Sequence, residues 1–282
     1  MFQGRCLCGA VRFEVDGPFV VMVNCHCSMC RKHHGSAFVT WVAAPGSGFR
    51  VTAGQGAIAS FASSEKHHRS FCTTCGSVMP ELDPAGNLAI IPAGSLLGPL
   101  GMTPRFHMFV ASKAPWYTIT DALPQHAEAP PELGLPAVER PAPVRPASLV
   151  HGSCLCGSVT YEIDRLASRL MYCHCSRCRL ARGAAFATNA FFGVEEFRWS
   201  RGDELVTQYA LPGARVFGVA FCRRCGSDVP RVARARNVVS VPAGTLDSDP
   251  GTAPTAHIYL DSRADWDDLP NDGVAQFAAM PP

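Results

Sequence analysis

GRCLCGAVRFEVD at residues 4–16 recurs as GSCLCGSVTYEID at residues 152–164. Each stretch opens on a C-x-C-G turn and runs directly into alternation. Val11, Phe13 and Val15 interleave with Arg12 and Glu14, and Val159, Tyr161 and Ile163 interleave with Thr160 and Glu162. A period of two sends alternate side chains to core and water, which marks a half-buried β-strand. The glycine after the cysteine pair admits positive φ, so that backbone amides can turn toward the sulfurs.

Three more blocks repeat outward from this one. NCHCSMCRKHHGSAF at 24–38 matches YCHCSRCRLARGAAF at 172–186, SFCTTCGSVMP at 70–80 matches AFCRRCGSDVP at 220–230, and IIPAGSL at 90–96 matches SVPAGTL at 240–246. The offset is 148 residues in the first two blocks and 150 in the last two, and His107 and Trp116 align with His257 and Trp266. A repeat of this length means one structural unit built twice. Strand-like runs at 20–23, 38–42, 88–91 and 107–110 extend the β pattern, and no helical stripe exceeds about three turns. The expected fold is mainly β with little helix. It comprises a first zinc domain at 1–126, a proline-rich linker at 127–150 and a second zinc domain at 151–282. The linker reads as semi-extended, either a plain tether or long enough to let the two copies pack face to face as an internal pseudo-dimer.

The chain of 282 residues is 47% hydrophobic and 17% charged, which suits packed domains and excludes disorder. A formal net charge of +2 supplies no field for nucleic acid or anionic membrane. No apolar run approaches the roughly 20 residues of a membrane span. The N-terminal MFQGRCLCGAVRFEV lacks the regions of a secretory signal, so a cytoplasmic location is expected. In a reducing compartment the fourteen cysteines call for an explanation other than disulfides, and metal is the leading one.

Each copy carries C-x-C-G, C-H-C-x-x-C-R and C-x-x-C-G. Two short thiolate pairs on tight turns suit one closed tetrahedral zinc site, which assigns Cys6, Cys8, Cys72 and Cys75 to one site and Cys154, Cys156, Cys222 and Cys225 to its equivalent. That leaves the trios Cys25, Cys27, Cys30 and Cys173, Cys175, Cys178. Three ligands with a free fourth position characterise a catalytic or exchangeable zinc site. The alternative is a structural site completed by histidine, from His33 or His34 in the first copy or His107 and His257 in both. Iron–sulfur ligation suits these β-turn spacings less well than zinc. His26 and His174, between ligand cysteines, are expected to support the site rather than bind metal. Arg31 and Arg179 either offer a fork to a substrate carboxylate or offset thiolate charge. The unshared HHR run at 67–69 and the arginine pair at 223–224 read as solvated surface.

The ordered blocks C-x-C-G-x-V, C-H-C-S-x-C-R, F-C-x-x-C-G-S and P-A-G-[ST]-L, with the late His and Trp, resemble the glutathione-dependent formaldehyde-activating family, which shares its domain with centromere protein V. The resemblance covers nearly all of both halves and keeps all seven cysteines in each. It implies an Mss4-like β-tent, a structural zinc on each cysteine quartet and a zinc assigned to chemistry on each trio, hence two per domain and four per chain. It further implies glutathione or a similar thiol as substrate with an aldehyde, a carbon–sulfur lyase reaction, and S-(hydroxymethyl)glutathione as the adduct. The competing reading is a non-catalytic zinc-structured module that binds a protein or a thiol.

Overall fold

The computed structural model describes residues 1–65, 67–135, 149–268 and 271–281. The chain is mainly β. Its first half holds β1 (Phe2–Arg5), β2 (Arg12–Val15), β3 (Val21–Cys25), α1 (Ser28–His34), β4 (Val39–Pro45), β5 (Phe49–Ala53), β6 (Ile58–Ala62), β7 (His68–Cys72), β8 (Val78–Met79), β9 (Glu81–Leu82), β10 (Leu88–Pro92) and β11 (His107–Met108). The second half holds β12 (Val150–Ser153), β13 (Thr160–Ile163), β14 (Arg169–Cys173), α2 (Ser176–Arg182), β15 (Ala187–Phe192), β16 (Phe197–Arg201), β17 (Val206–Ala210), β18 (Gly218–Cys222), β19 (Arg231–Ala233), β20 (Val238–Pro242), β21 (Ala256–Ile258) and β22 (Ala275–Gln276).

The sheets repeat with the sequence. The alternating strands of the opening motif form β1-β2-β5 and β12-β13-β16, both antiparallel, each with a register shift at the same point, Arg12/Phe13 and Thr160/Tyr161. The larger sheets run β11-β3-β4-β10-β9 and β19-β20-β15-β14-β21-β22. In each, one short parallel strand lies against the strand that ends at the cysteine trio. His107 faces Asn24 and Met108 faces Cys25, while His257 faces Tyr172 and Ile258 faces Cys173. This parallel pairing brings the late histidine beside the C-H-C motif from more than eighty residues away.

One continuous core spans both halves. Phe38 and Trp116 of the first half pack with Tyr172, Phe186 and Trp266 of the second. Phe38 meets Phe186 edge-on at 5.4 Å between centroids, and Lys32 bonds Asp247 at 2.6 Å. Helix α1 sits on the single turn Ala243–Thr245, and α2 on its equivalent Ala93–Ser95. Those turns are the P-A-G-[ST]-L motif, and their glycines explain it. A Cβ on Gly94 would stand 2.4 Å from the Ala184 carbonyl oxygen, and one on Gly244 2.3 Å from that of Arg31. Backbone cannot yield as a flexible side chain can, so only glycine lets the halves approach this closely.

From the expected linker, the carbonyls of Ala127 and Glu128 accept from the amides of Ala111 and Phe109, folding this segment back beyond β11. Residues 136–148 lie outside the described residues.

Gly94→Ala is therefore expected to cost about 1–3 kcal/mol by overpacking. Gly56→Ala should be nearly neutral, because nothing lies within 4 Å of its added Cβ. Urea denaturation of the two variants against the parent checks this.

Candidate metal centres

All fourteen cysteines are free thiols. They gather into the four groups anticipated from spacing: Cys6, Cys8, Cys72 and Cys75; Cys154, Cys156, Cys222 and Cys225; Cys25, Cys27 and Cys30; and Cys173, Cys175 and Cys178. Within each group the sulfurs lie within 4.8 Å of one another. A tetrahedral zinc with Zn–S of about 2.3 Å demands sulfur separations of about 3.8 Å. Separations of 3.3 Å for Cys6–Cys8, 3.8 Å for Cys8–Cys72, 3.4 Å for Cys154–Cys156, 4.0 Å for Cys156–Cys222 and 3.6 Å for Cys173–Cys175 bracket that value, and the all-sulfur donor sets suit such an ion.

The quartets owe their geometry to the turns. Gly76 and Gly226 adopt φ of 72° and 73°, closing the C-x-x-C-G turns. The amides of Val11 and Val159 point at Cys6 and Cys154 Sγ, each at 3.3 Å. The serine after each C-x-x-C-G ties the two turns together. Ser77 Oγ accepts from the Leu7 amide at 2.9 Å and touches Cys75 Sγ at 3.3 Å, and Ser227 does the same for Leu155 and Cys225. Sulfur hydrogen bonds from Cys6 and then Cys72 push the Cys75 thiol down to about 2, whereas burial pushes Cys8 up to about 11. An entering metal would have to displace the protons that the quartet shares.

The trios sit where a strand meets a helix. Cys27 and Cys175 cap α1 and α2, their sulfurs accepting from the amides of Cys30 and Cys178 at 3.3 and 3.4 Å. Gly35 and Gly183 end these helices in the left-handed conformation. Hydrogen bonds from Cys25 and then Cys27 hold Cys30 well below the ordinary thiol range, and those from Cys173 and Cys178 bring Cys175 down to about 3.

The histidines proposed as a fourth ligand lie outside the sulfur groups. His107 Nδ1 is 2.8 Å from His26 Nε2, and its Nε2 is 3.0 Å from Asp121; His257 stands likewise between His174 and Asp272, both contacts at 3.0 Å. An ionised carboxylate can only accept. So His107 Nε2–H donates to Asp121 and His26 Nε2–H donates to His107 Nδ1. His26 and His174 are thus held by hydrogen bonds to the late histidines and lie outside the sulfur groups. The spacing of Asp121 and Asp272, fourteen and fifteen residues after the late histidines, was the available signal for this Asp–His–His chain.

Arg31 is buried and donates to the Ser112 carbonyl at 3.2 Å, while half-buried Arg179 donates to that of Ser262 at 3.0 Å. The HHR run departs from the solvated-surface expectation at one residue. His68 is exposed, but β7 turns Arg69 inward, where its Nη1 lies 3.5 Å from Cys30 Sγ. Arg223 and Arg224 are exposed, as expected.

Burial holds the His26 imidazole down to about 2 and His34 to about 4, and pushes His33 well below its ordinary value. All three are neutral in the fold but take a proton once unfolded below about pH 6.5. Stability is therefore complete above pH 6.5 and lost as pH falls toward the folded values. At pH 5 each histidine is expected to cost about 2 kcal/mol relative to pH 7. Denaturation midpoints at the two pH values, with metal saturating, measure the loss. An unchanged midpoint would contradict it.

A family model described as glutathione-dependent formaldehyde-activating enzyme matches residues 1–112 and 149–262. A curated protein of Halomonas elongata, named as a candidate glutathione-dependent formaldehyde-activating enzyme, is 30% identical over 137 residues, spanning 42% of this chain and 81% of that protein. A crystal structure of a Rhodobacter sphaeroides protein shares 31% identity, covering 37% of this chain and 97% of its own, at a TM-score of 0.30. Each half carries the full set of cysteine blocks and each falls within a matched segment. The chain belongs to the glutathione-dependent formaldehyde-activating enzyme family.

Proposed function

We propose that this chain is a zinc-dependent carbon–sulfur lyase that joins glutathione, or a similar thiol, to formaldehyde or a related aldehyde. The observation that carries this reading is the division of the sulfurs into closed quartets and trios with no fourth His, Cys, Asp or Glu ligand among the described residues. Four thiolates saturate a tetrahedral ion and leave it structural; three leave a place for an external sulfur. Bound at a trio, zinc would supply a lowered thiol pKa. A C–S bond forms at the carbonyl carbon, the carbonyl π pair moves to oxygen, and the proton shed by the thiol is regained there.

The chain's own residues serve this chemistry by holding the trios. Asp121 and Asp272 fix the histidine rings beside the C-H-C turns, and Arg31 and Arg179 bring positive charge near the thiolates. Arg179 also lines a cleft of about 260 Å³ with Arg263, Asp265 and Trp266, where two guanidiniums against one carboxylate suit it to a carboxylate of the thiol substrate. The pairing of α1 with the second half and α2 with the first supports an internal pseudo-dimer of two zinc domains. Among the described residues no helix is long and apolar enough to cross a membrane. The reading places the protein in the cytoplasm, with small-molecule partners and no nucleic acid.

Metal analysis is expected to find about four zinc ions per chain, two per copy. Glutathione should perturb a trio and accelerate formaldehyde exchange in magnetisation-transfer NMR. With no perturbation and no acceleration, the lyase reading gives way to a non-catalytic binding module. Cys75→Ser should destabilise the whole first copy, because binding free energy of about 10–16 kcal/mol at a structural zinc is folding free energy. Cys27→Ser should leave that copy folded and weaken only its second metal; equal damage from both would reject the division.

A further inference from the structure

The two trios share a motif but differ in surroundings. In the first copy Cys25, Cys27 and Cys30 are each 2% exposed. Half-buried Met29 and Ala129 pack on them, and Trp41 belongs to the same cluster. Arg69 is 9% exposed, reaches Cys30 Sγ at 3.5 Å and lies 6.0 Å from the Trp41 ring centroid. In the second copy the block offsets put Arg177 at the position of Met29, Asn189 at that of Trp41 and Val219 at that of Arg69. Arg177 is exposed, and Cys175 is half-buried where its counterpart Cys27 is sealed. Arg182, where the first copy has His34, is occupied by Asp228 and by Asn189 at 3.3 Å. Arg31 and Arg179 are equivalent in sequence, but Arg31 is buried whereas Arg179 is half-buried.

Charge accounting gives this difference its meaning. Zinc with three thiolates carries a net charge of about −1, and an external thiolate as fourth ligand makes it about −2. Burying such a charge without compensation is costly. At the first centre the buried guanidinium of Arg69, 3.5 Å from Cys30 Sγ, already balances the charge of three thiolates, and all three sulfurs are sealed. In the second copy the position of Arg69 is Val219, which packs in the cluster of Cys6, Cys72 and Cys75, while Phe217, under Arg177 at 6.0 Å, packs against the second trio and Cys175 stays half-buried.

We infer that the two copies are not equivalent: the trio Cys173, Cys175 and Cys178 admits an external ligand, and Arg69 closes the trio Cys25, Cys27 and Cys30. This rests on the lyase reading for the nature of the ligand, a thiol, but not for the asymmetry itself. Arg69 is a positioning and excluding residue, not a catalytic one.

The test uses the full-length chain loaded with cobalt, whose visible bands report sulfur coordination. Glutathione should titrate a single site per chain in the parent, none in Cys175→Ser, and a second site in Arg69→Met. Two equivalent sites in the parent, or a response that survives Cys175→Ser unchanged, would overturn the inference. The zinc-loaded parent is also treated with iodoacetamide and mapped by mass spectrometry. Cys175 is expected to label at least about tenfold faster than Cys25, Cys27 or Cys30. If glutathione shifts no band in any protein, the thiol reading fails, and this labelling alone decides the asymmetry: equal rates overturn it and the unequal rates uphold it. The labelling arm needs no variant, so misfolding of Arg69→Met would not blunt the result.

Discussion

The fold depends on joining two tight turns that lie far apart along the chain. In each half, the C-x-C-G turn before β2 or β13 must meet the C-x-x-C-G turn after β7 or β18. Closing a loop of about 65 residues costs roughly 4 kcal/mol in chain entropy. The small sheets around these turns, of two or three short strands each, could not hold them on β pairing alone. A metal held on four thiolates would supply several times that cost. The protein lowers the remaining barrier by building the cradle from backbone: amides directed at Cys6 and Cys154, and a serine that locks one turn to the other. Position along the strands then follows from the cross-link, because the same turns start β2 and end β7.

Much of this was legible because metal chemistry leaves a compact trace. Thiolate ligands must be cysteines, turn geometry forces them into x-spaced pairs, and the following glycine is fixed by positive φ. The alternation of Val11, Phe13 and Val15 was equally plain, since one face of β2 is buried and the other is not. Arg69 was not legible. Judged with His67 and His68 it reads as a solvated basic run, and only strand pairing reveals that β7 turns it inward onto a sulfur more than thirty residues back. The carboxylates Asp121 and Asp272 fall between these cases. Their spacings from the late histidines differ by one residue, and an isolated aspartate in a loop carries no local mark of the hydrogen bond that it accepts. The close approach of the halves at Gly94 and Gly244 was written in the P-A-G motif, yet the motif does not say what comes near.

The Asp–His–His chains show how a buried polar group is made tolerable in this fold. A neutral imidazole sealed in the core needs its donors satisfied. The short parallel strands β11 and β21 exist to bring one histidine to another, and the carboxylates terminate the chains near the surface. Each chain lies beside a trio, so the orientation of the C-H-C turn is set by polar contacts as well as by the strand. A change at Asp121 or Asp272 would therefore reach the cysteine trio without touching it, through two successive rings.

The packing of the halves bears on why a closed centre would be retained at all. Cys6, Cys72 and Cys75 share a cluster with Leu180, Ala181 and Val219 of the second half, and Cys154, Cys222 and Cys225 pack beside Phe61 of the first. Phe71 and Phe221, each preceding a C-x-x-C pair, meet edge-on at 6.3 Å. Each quartet is thus walled partly by the opposite half, and each helix that carries a trio rests on the other half's P-A-G turn. Losing the metal sites of one half would expose the apolar wall of the other. A half whose trio is closed would then still be required, because its folded surface walls the quartet of the other. This mutual dependence leaves side chains around one trio free to change, as Arg69 and Trp41 have relative to Val219 and Asn189, while every cysteine stays in place.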